Sequence, residues 1–204
     1  MPPRHEPRVL ERRARARAAA LLAALAGTLA SAADAPSSPP RGGGCLPAGA
    51  GYVHARIRGA RNLDVSWPDA QLECAGEVRA DGGGLLVSFV GAVHGQRLRL
   101  LFGVRARGAA GVQHALPTNL TVIFEGEHRL YATQGDDKCT VDELRGERLA
   151  DDPRGARNAV YRVSARGFCV GPAGAPAGQE RIVMESFDFT GRIGGVAASS
   201  PAAH

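Results

Sequence analysis

Asp136, Asp137, Asp142 and Glu143 form the densest acidic run in the chain, and the single lysine, Lys138, sits among them. Hard cations such as calcium take several oxygens from one loop. A calcium loop of the helix–loop–helix type, however, needs ligands at alternate positions, a central glycine and a terminal glutamate. Lys138 stands where a ligand is required, so the run reads as an acidic turn leading into a helix N-terminus, where carboxylates favour the dipole. These four carboxylates are the candidate binding residues. They would form a loop rim that meets a basic or metal-bearing partner by charge complementarity. No metal site and no cofactor is assigned.

Other chemistry has a thinner basis. Nucleophilic catalysis needs a Ser or Cys beside a histidine that a third group orients. Ser66, Ser88, Ser164 and Ser186 fall in strand-like runs, and no Gly-x-Ser-x-Gly elbow is present. His54, His94, His114 and His128 are scattered, without the paired spacing of a zinc or copper site. Glu125, Glu127 and Glu185 are strand-borne acids of the kind glycoside hydrolysis would use, with nothing to mark a cleft. Trp67 beside Pro68 reads as a lid on one end of the core. No catalytic residue is assigned.

Four cysteines, Cys45, Cys74, Cys139 and Cys169, lie beyond residue 32 at wide spacings. In an exported chain an even count reads as two disulfides. Three pairings are possible. The expected one joins Cys139 to Cys169, each at the end of a strand-like run, and Cys45 to Cys74.

The reading of export rests on residues 1–32. A basic stretch runs to Arg17, an apolar run follows from Ala18 to Leu29, and Ala30-Ser31-Ala32 supplies a small-x-small cleavage site. The apolar run is shorter than the ~20 residues a membrane-spanning helix needs. The formal net charge is +5, but residues 1–32 hold six arginines against two glutamates. Setting them aside leaves 19 basic and 18 acidic residues, so the remainder carries no nucleic-acid footprint. The 24 arginines against one lysine, with abundant Ala and Gly, suggest a high-GC bacterial source.

These residues need a scaffold, and the pattern for it is β. Residues 33–49 are rich in Pro, Gly and Ser and read as a linker, and 195–204 read as a frayed tail. Between them, residues 50–194 hold about ten short apolar or alternating runs, bounded by Gly, Pro, Asn or Asp. They are Tyr52–Ile57, Leu63–Trp67, Leu72–Val78, Leu85–Val90, Leu98–Val104, Leu120–Phe124, His128–Ala132, Ala159–Val163, Phe168–Val170 and Ile182–Phe189. In the last, Met184 and Phe187 fall out of step, which a bulge near Glu185-Ser186 repairs. Asp81–Gly84 and Gly135-Asp136 read as hairpin-type breaks. Only Val141–Asp151 suggests a helix, with Thr140 and Glu143 as a capping box and Leu144 and Leu149 as its apolar positions. The expected fold is all-β: an antiparallel β-sandwich or jelly-roll-like domain with one short helix. Aromatics make up 5% of the chain, so most of them belong in the core.

The series Asp64–Trp67, Cys74–Gly76, Phe89–Gly91, Pro117–Thr121, Tyr131–Gly135, Lys138-Cys139, Tyr161-Arg162, Phe168-Cys169 and Phe187–Gly191 resembles a loose family of small exported bacterial β proteins of uncharacterised function. The resemblance covers residues 50–194 and implies an exported β fold, with no catalytic or binding residues attached.

Together these readings give a periplasmic or secreted domain of the bacterial envelope. It would act as a binding or structural module with an envelope protein or ligand as partner, with no membrane span once the leader is removed. The alternative is a secreted hydrolase or metal-dependent enzyme using the carboxylates near 136–143.

Overall fold

The computed structural model describes residues 45–46, 49–79, 83–149 and 159–194. The expected leader and tail, and all of the expected linker but Cys45, Leu46 and Gly49, lie outside them.

Eleven strands follow in order: β1 (Tyr52–Gly59), β2 (Leu63–Pro68), β3 (Glu73–Val78), β4 (Leu85–Val93), β5 (Gln96–Val104), β6 (Gly111–Phe124), β7 (Arg129–Ala132), β8 (Cys139–Arg148), β9 (Tyr161–Cys169), β10 (Ala173–Gly174) and β11 (Arg181–Ile193). Every ladder between them is antiparallel. The only helical elements among the described residues are two single 3-10 turns, Asp69–Gln71 and Glu125–Glu127. None is long and apolar enough to cross a membrane.

Two long strands organise the sheet. β6 pairs with β5 on one side; on its other side it pairs first with β8 and then with β7. β11 pairs with β1 on one side, and with β9 and then β10 on the other. β7 and β8 are therefore collinear along β6, and β9 and β10 are collinear along β11. The break at Gly135-Asp136 is consequently not a hairpin. The chain leaves β6 after Thr133 and rejoins it at Cys139, and the backbone N–H of Thr133 still donates to the Leu120 carbonyl (3.0 Å).

The sheet rolls up. The Gly194 N–H, just past β11, donates to the Gly76 carbonyl in β3 (2.9 Å). Trp67 of β2 lies against β4 with its Nε1 donating to the Ala92 carbonyl (2.9 Å). The close approach requires Gly91, since a Cβ there would stand 2.5 Å from the indole. Inside are the rings of Phe89, Phe102, Phe187 and Phe189, with centroids of contacting pairs 4.8–6.4 Å apart. The expected sandwich-like β architecture and the burial of most aromatics hold, and Trp67 is itself a buried member of the core.

The expected helix at Val141–Asp151 does not: Cys139–Arg148 is β8. Val141 and Leu144 are both buried at a helical spacing of three because the register slips at Asp142, a β-bulge that adds one residue between two core positions. The same device acts in β11, as expected there. Arg56 faces Ser186 and Ile57 faces Met184, so Glu185 is the extra residue, and Met184 and Phe187 both turn inward.

Both disulfides form as expected. Cys139 and Cys169 are register partners at one end of the β8–β9 ladder, and Cys45 is bonded to Cys74 in β3. Beside the second bridge the buried Asp69 carboxylate accepts from the N–H of Leu46 (3.0 Å) and of Gly51 (2.8 Å), fastening the chain entry to the β2–β3 connection.

Candidate functional site

The expected carboxylates occupy two separate places. Asp136 is ion-paired with Arg105, and Asp137 with Lys138 (2.9 Å). Asp142 is the exposed bulge residue of β8. Glu143 lies on the outer sheet face, 3.6 Å from Arg145 and 3.9 Å from Arg166. The two aspartates of the loop thus already have cationic partners, and the other two acids belong to a strand. Among the described residues no group of three or more His, Cys, Asp or Glu side chains is arranged to hold a metal ion.

The main concavity lies elsewhere, and the paired collinear strands create it. β8 and β9 pair over their length up to Cys139–Cys169. Beyond the disulfide, β7 and β10 meet in one rung only, Ala132 with Gly174. There β10 ends, because Pro176 has no N–H to continue a ladder. The chain turns through residues 175–180, closed by the Ala175 N–H on the Glu180 carbonyl (3.2 Å), into β11. β7 and this turn separate, leaving a groove of about 510 Å³ lined by His128–Tyr131 and by Ala175–Gly178 with Glu180. Three further depressions among the described residues hold about 240, 160 and 80 Å³. Of the four, only the groove falls in the size range of sites that enclose a ligand.

Tyr131 lies under the groove with no exposed surface. Its hydroxyl donates to Glu180 Oε2 (2.6 Å), and Arg129 Nη1 donates to the same oxygen (2.6 Å). Arg129 also lies 3.7 Å from Glu127, which pairs with Arg61, whose guanidinium sits 5.4 Å from the centre of the Phe124 ring. The Arg129–Glu180 contact thus ties the two walls of the groove together, and Glu127 and Arg61 continue the chain of charges away from it.

The Tyr131 hydroxyl and then Arg129 hold the Glu180 carboxyl below the usual carboxylate range. A depressed pKa contributes stability that is present above the ordinary glutamate value, about 4.3, and is lost as pH falls through the depressed value. As pH falls below about 4.3 this contribution should decline, and protonation at the depressed value should then release Glu180 from Arg129. The acid limb of the wild-type stability curve should be steeper than that of Glu180→Gln. Matching acid limbs in urea titrations would contradict this. The effect is small because Glu180 is half exposed and solvent screens it.

Glu73 and Glu125, held by Arg97, and Asp137, held by Lys138, are shifted the same way. These partners keep the carboxylates ionised, the wrong direction for a general acid.

Of the groove residues, sequence reasoning singled out His128, among the scattered histidines, and Tyr131, within the run His128–Ala132 and the resemblance series. It missed Arg129, Glu180 and the 175–178 wall. The signal for that wall was present in Ala-Gly-Ala-Pro, a strand-like pair stopped by proline. Comparison of the chain with protein-family models, curated proteins and solved structures finds no significant match, so the resemblance to exported β proteins rests on its short motifs alone.

Proposed function

We propose that the chain is a binding module of an oxidising compartment outside the cytoplasm, the bacterial periplasm or exterior, and that it binds in the groove between β7 and the β10–β11 turn. The groove's form and lining carry this reading: a concavity of about 510 Å³ whose walls are braced by Glu180 between Tyr131 and Arg129. Two disulfides and the tripartite leader support the compartment.

The test uses the full chain with both disulfides formed, and beside it Ala177→Trp, which fills the groove from an exposed position. Each is exposed to a random peptide library on phage, a glycan array and anionic vesicles. At least one probe class should bind the parent and fail on the variant, whose stability should stay within about 0.5 kcal/mol of the parent's. Binding by none of the three, or binding indifferent to Ala177→Trp, overturns the reading.

A further inference from the structure

We propose that the groove takes an extended polypeptide segment, which adds as a short strand to the open edge of β7 at Leu130 and places an acidic side chain against Arg181. This rests on the reading of the groove as the binding site and names its ligand.

The backbone of β7 supplies the first argument. In an antiparallel ladder successive residues direct their N–H and C=O alternately to the two neighbouring strands. Thr133 donates to Leu120, so Tyr131 and Arg129, at steps of two, are bonded to β6, where they face Val122 and Phe124. Leu130 and Ala132 then direct theirs the opposite way. Ala132 meets Gly174. Two residues on, Leu130 would meet Pro176, which has no N–H and belongs to the diverging turn. The Leu130 donor and acceptor therefore face into the groove, spaced as a strand edge is. Strand addition at such an edge draws affinity from main-chain hydrogen bonds and selectivity from alternate side chains.

The walls narrow the ligand class. A saccharide site uses the face of an aromatic ring, but Tyr131 is fully buried and only its hydroxyl is committed, to Glu180. The opposite wall is Ala, Pro, Ala and Gly, low enough to admit a backbone. Charge adds the side-chain preference. Glu180 is already matched by Arg129. Arg181 reaches back beside Gly174 and bonds only the carbonyls of Gly178 (3.5 Å) and Glu180 (3.0 Å), with no carboxylate in ion-pair range among the described residues. His128 and Arg129 add donors at the other end of the groove. Arg181 thus leaves positive charge to spare beside Gly174, at the rung with Ala132 where the groove ends, and an Asp or Glu at that end of the incoming strand would meet it.

The experiment starts from peptides that a random library yields on the full-length oxidised chain after counter-selection on Ala177→Trp. Each is resynthesised with one backbone N-methyl group at successive positions. Strand addition at Leu130 predicts one sensitive position: methylation of the peptide N–H that meets the Leu130 carbonyl should weaken binding about tenfold, and methylation at the positions on either side should not. The Leu130 amide should become slower to exchange on binding, while that of Tyr131, already bonded to β6, should not change. Enriched peptides should carry Asp or Glu and lose affinity about threefold or more with Arg181→Gln. An N-methyl series with no single sensitive position, or an unaltered Leu130 amide, overturns strand addition while leaving the groove as a binding site. Glycans or vesicles that bind in a groove-dependent way while no peptide does would have the same meaning. Failure of every probe removes both readings.

Discussion

Replacing Cys139 and Cys169 together by alanine should lower stability by about 3–4 kcal/mol, the entropy the unfolded chain regains when a closure of this length is opened. The two residues are 30 apart in sequence and both are buried. Alanine leaves no unpaired polar atom in their place. Urea denaturation gives the value, as a lower midpoint with a somewhat steeper slope, because the denatured chain without the bridge exposes more surface. A loss below about 1 kcal/mol would mean that the β8–β9 ladder itself holds this closure in the unfolded ensemble. The bridge also stands just before the point where the collinear strands separate. The double variant should therefore show faster amide exchange at Ala132 and Gly174 than the parent, under conditions where β4 and β5 remain protected.

Phe102→Ala should cost about 3–5 kcal/mol, the usual loss for a buried phenylalanine that leaves a cavity. Its ring is fully buried and packs at 4.8 Å on Phe187, 5.0 Å on Phe189 and 6.4 Å on Phe89. Phe168→Ala is the control: that ring is 38% exposed and should lose no more than about 1 kcal/mol. Equal losses at the two positions would refute the assignment of the four-phenylalanine cluster as the centre of the core.

The sequence was most readable where burial alternates without interruption. Leu98–Val104 and Tyr52–Ile57 are recognisable because one face of each strand meets the core and the other meets water. Val141–Leu144 misled because a bulge at Asp142 turns a period of two into a step of three, the same step a helix makes. β9 looked like two pieces because Gly167 interrupts it. That glycine is required, since a Cβ there would stand 2.0 Å from the Thr140 carbonyl oxygen. The first half of β6 was missed because Pro117 lies in it. Pro117 accepts a hydrogen bond from the Arg105 N–H (2.9 Å), so its nitrogen faces the side where β5 has just ended and no ladder bond is lost. The groove was beyond reach for a different reason. Arg129 and Tyr131 meet Glu180 across separations of 51 and 49 residues, through a topology that local pattern does not specify.

The fastening of the chain entry has a mechanical consequence. Cys45 is bonded into β3, and Asp69 holds Leu46 and Gly51, all before β1 begins at Tyr52. Tension arriving through the preceding residues is thus passed covalently to Cys74 and does not peel β1 from β11 one pair at a time. A domain loaded from that side resists through a covalent bond and the β3–β4 ladder before any load reaches the β1–β11 pairing.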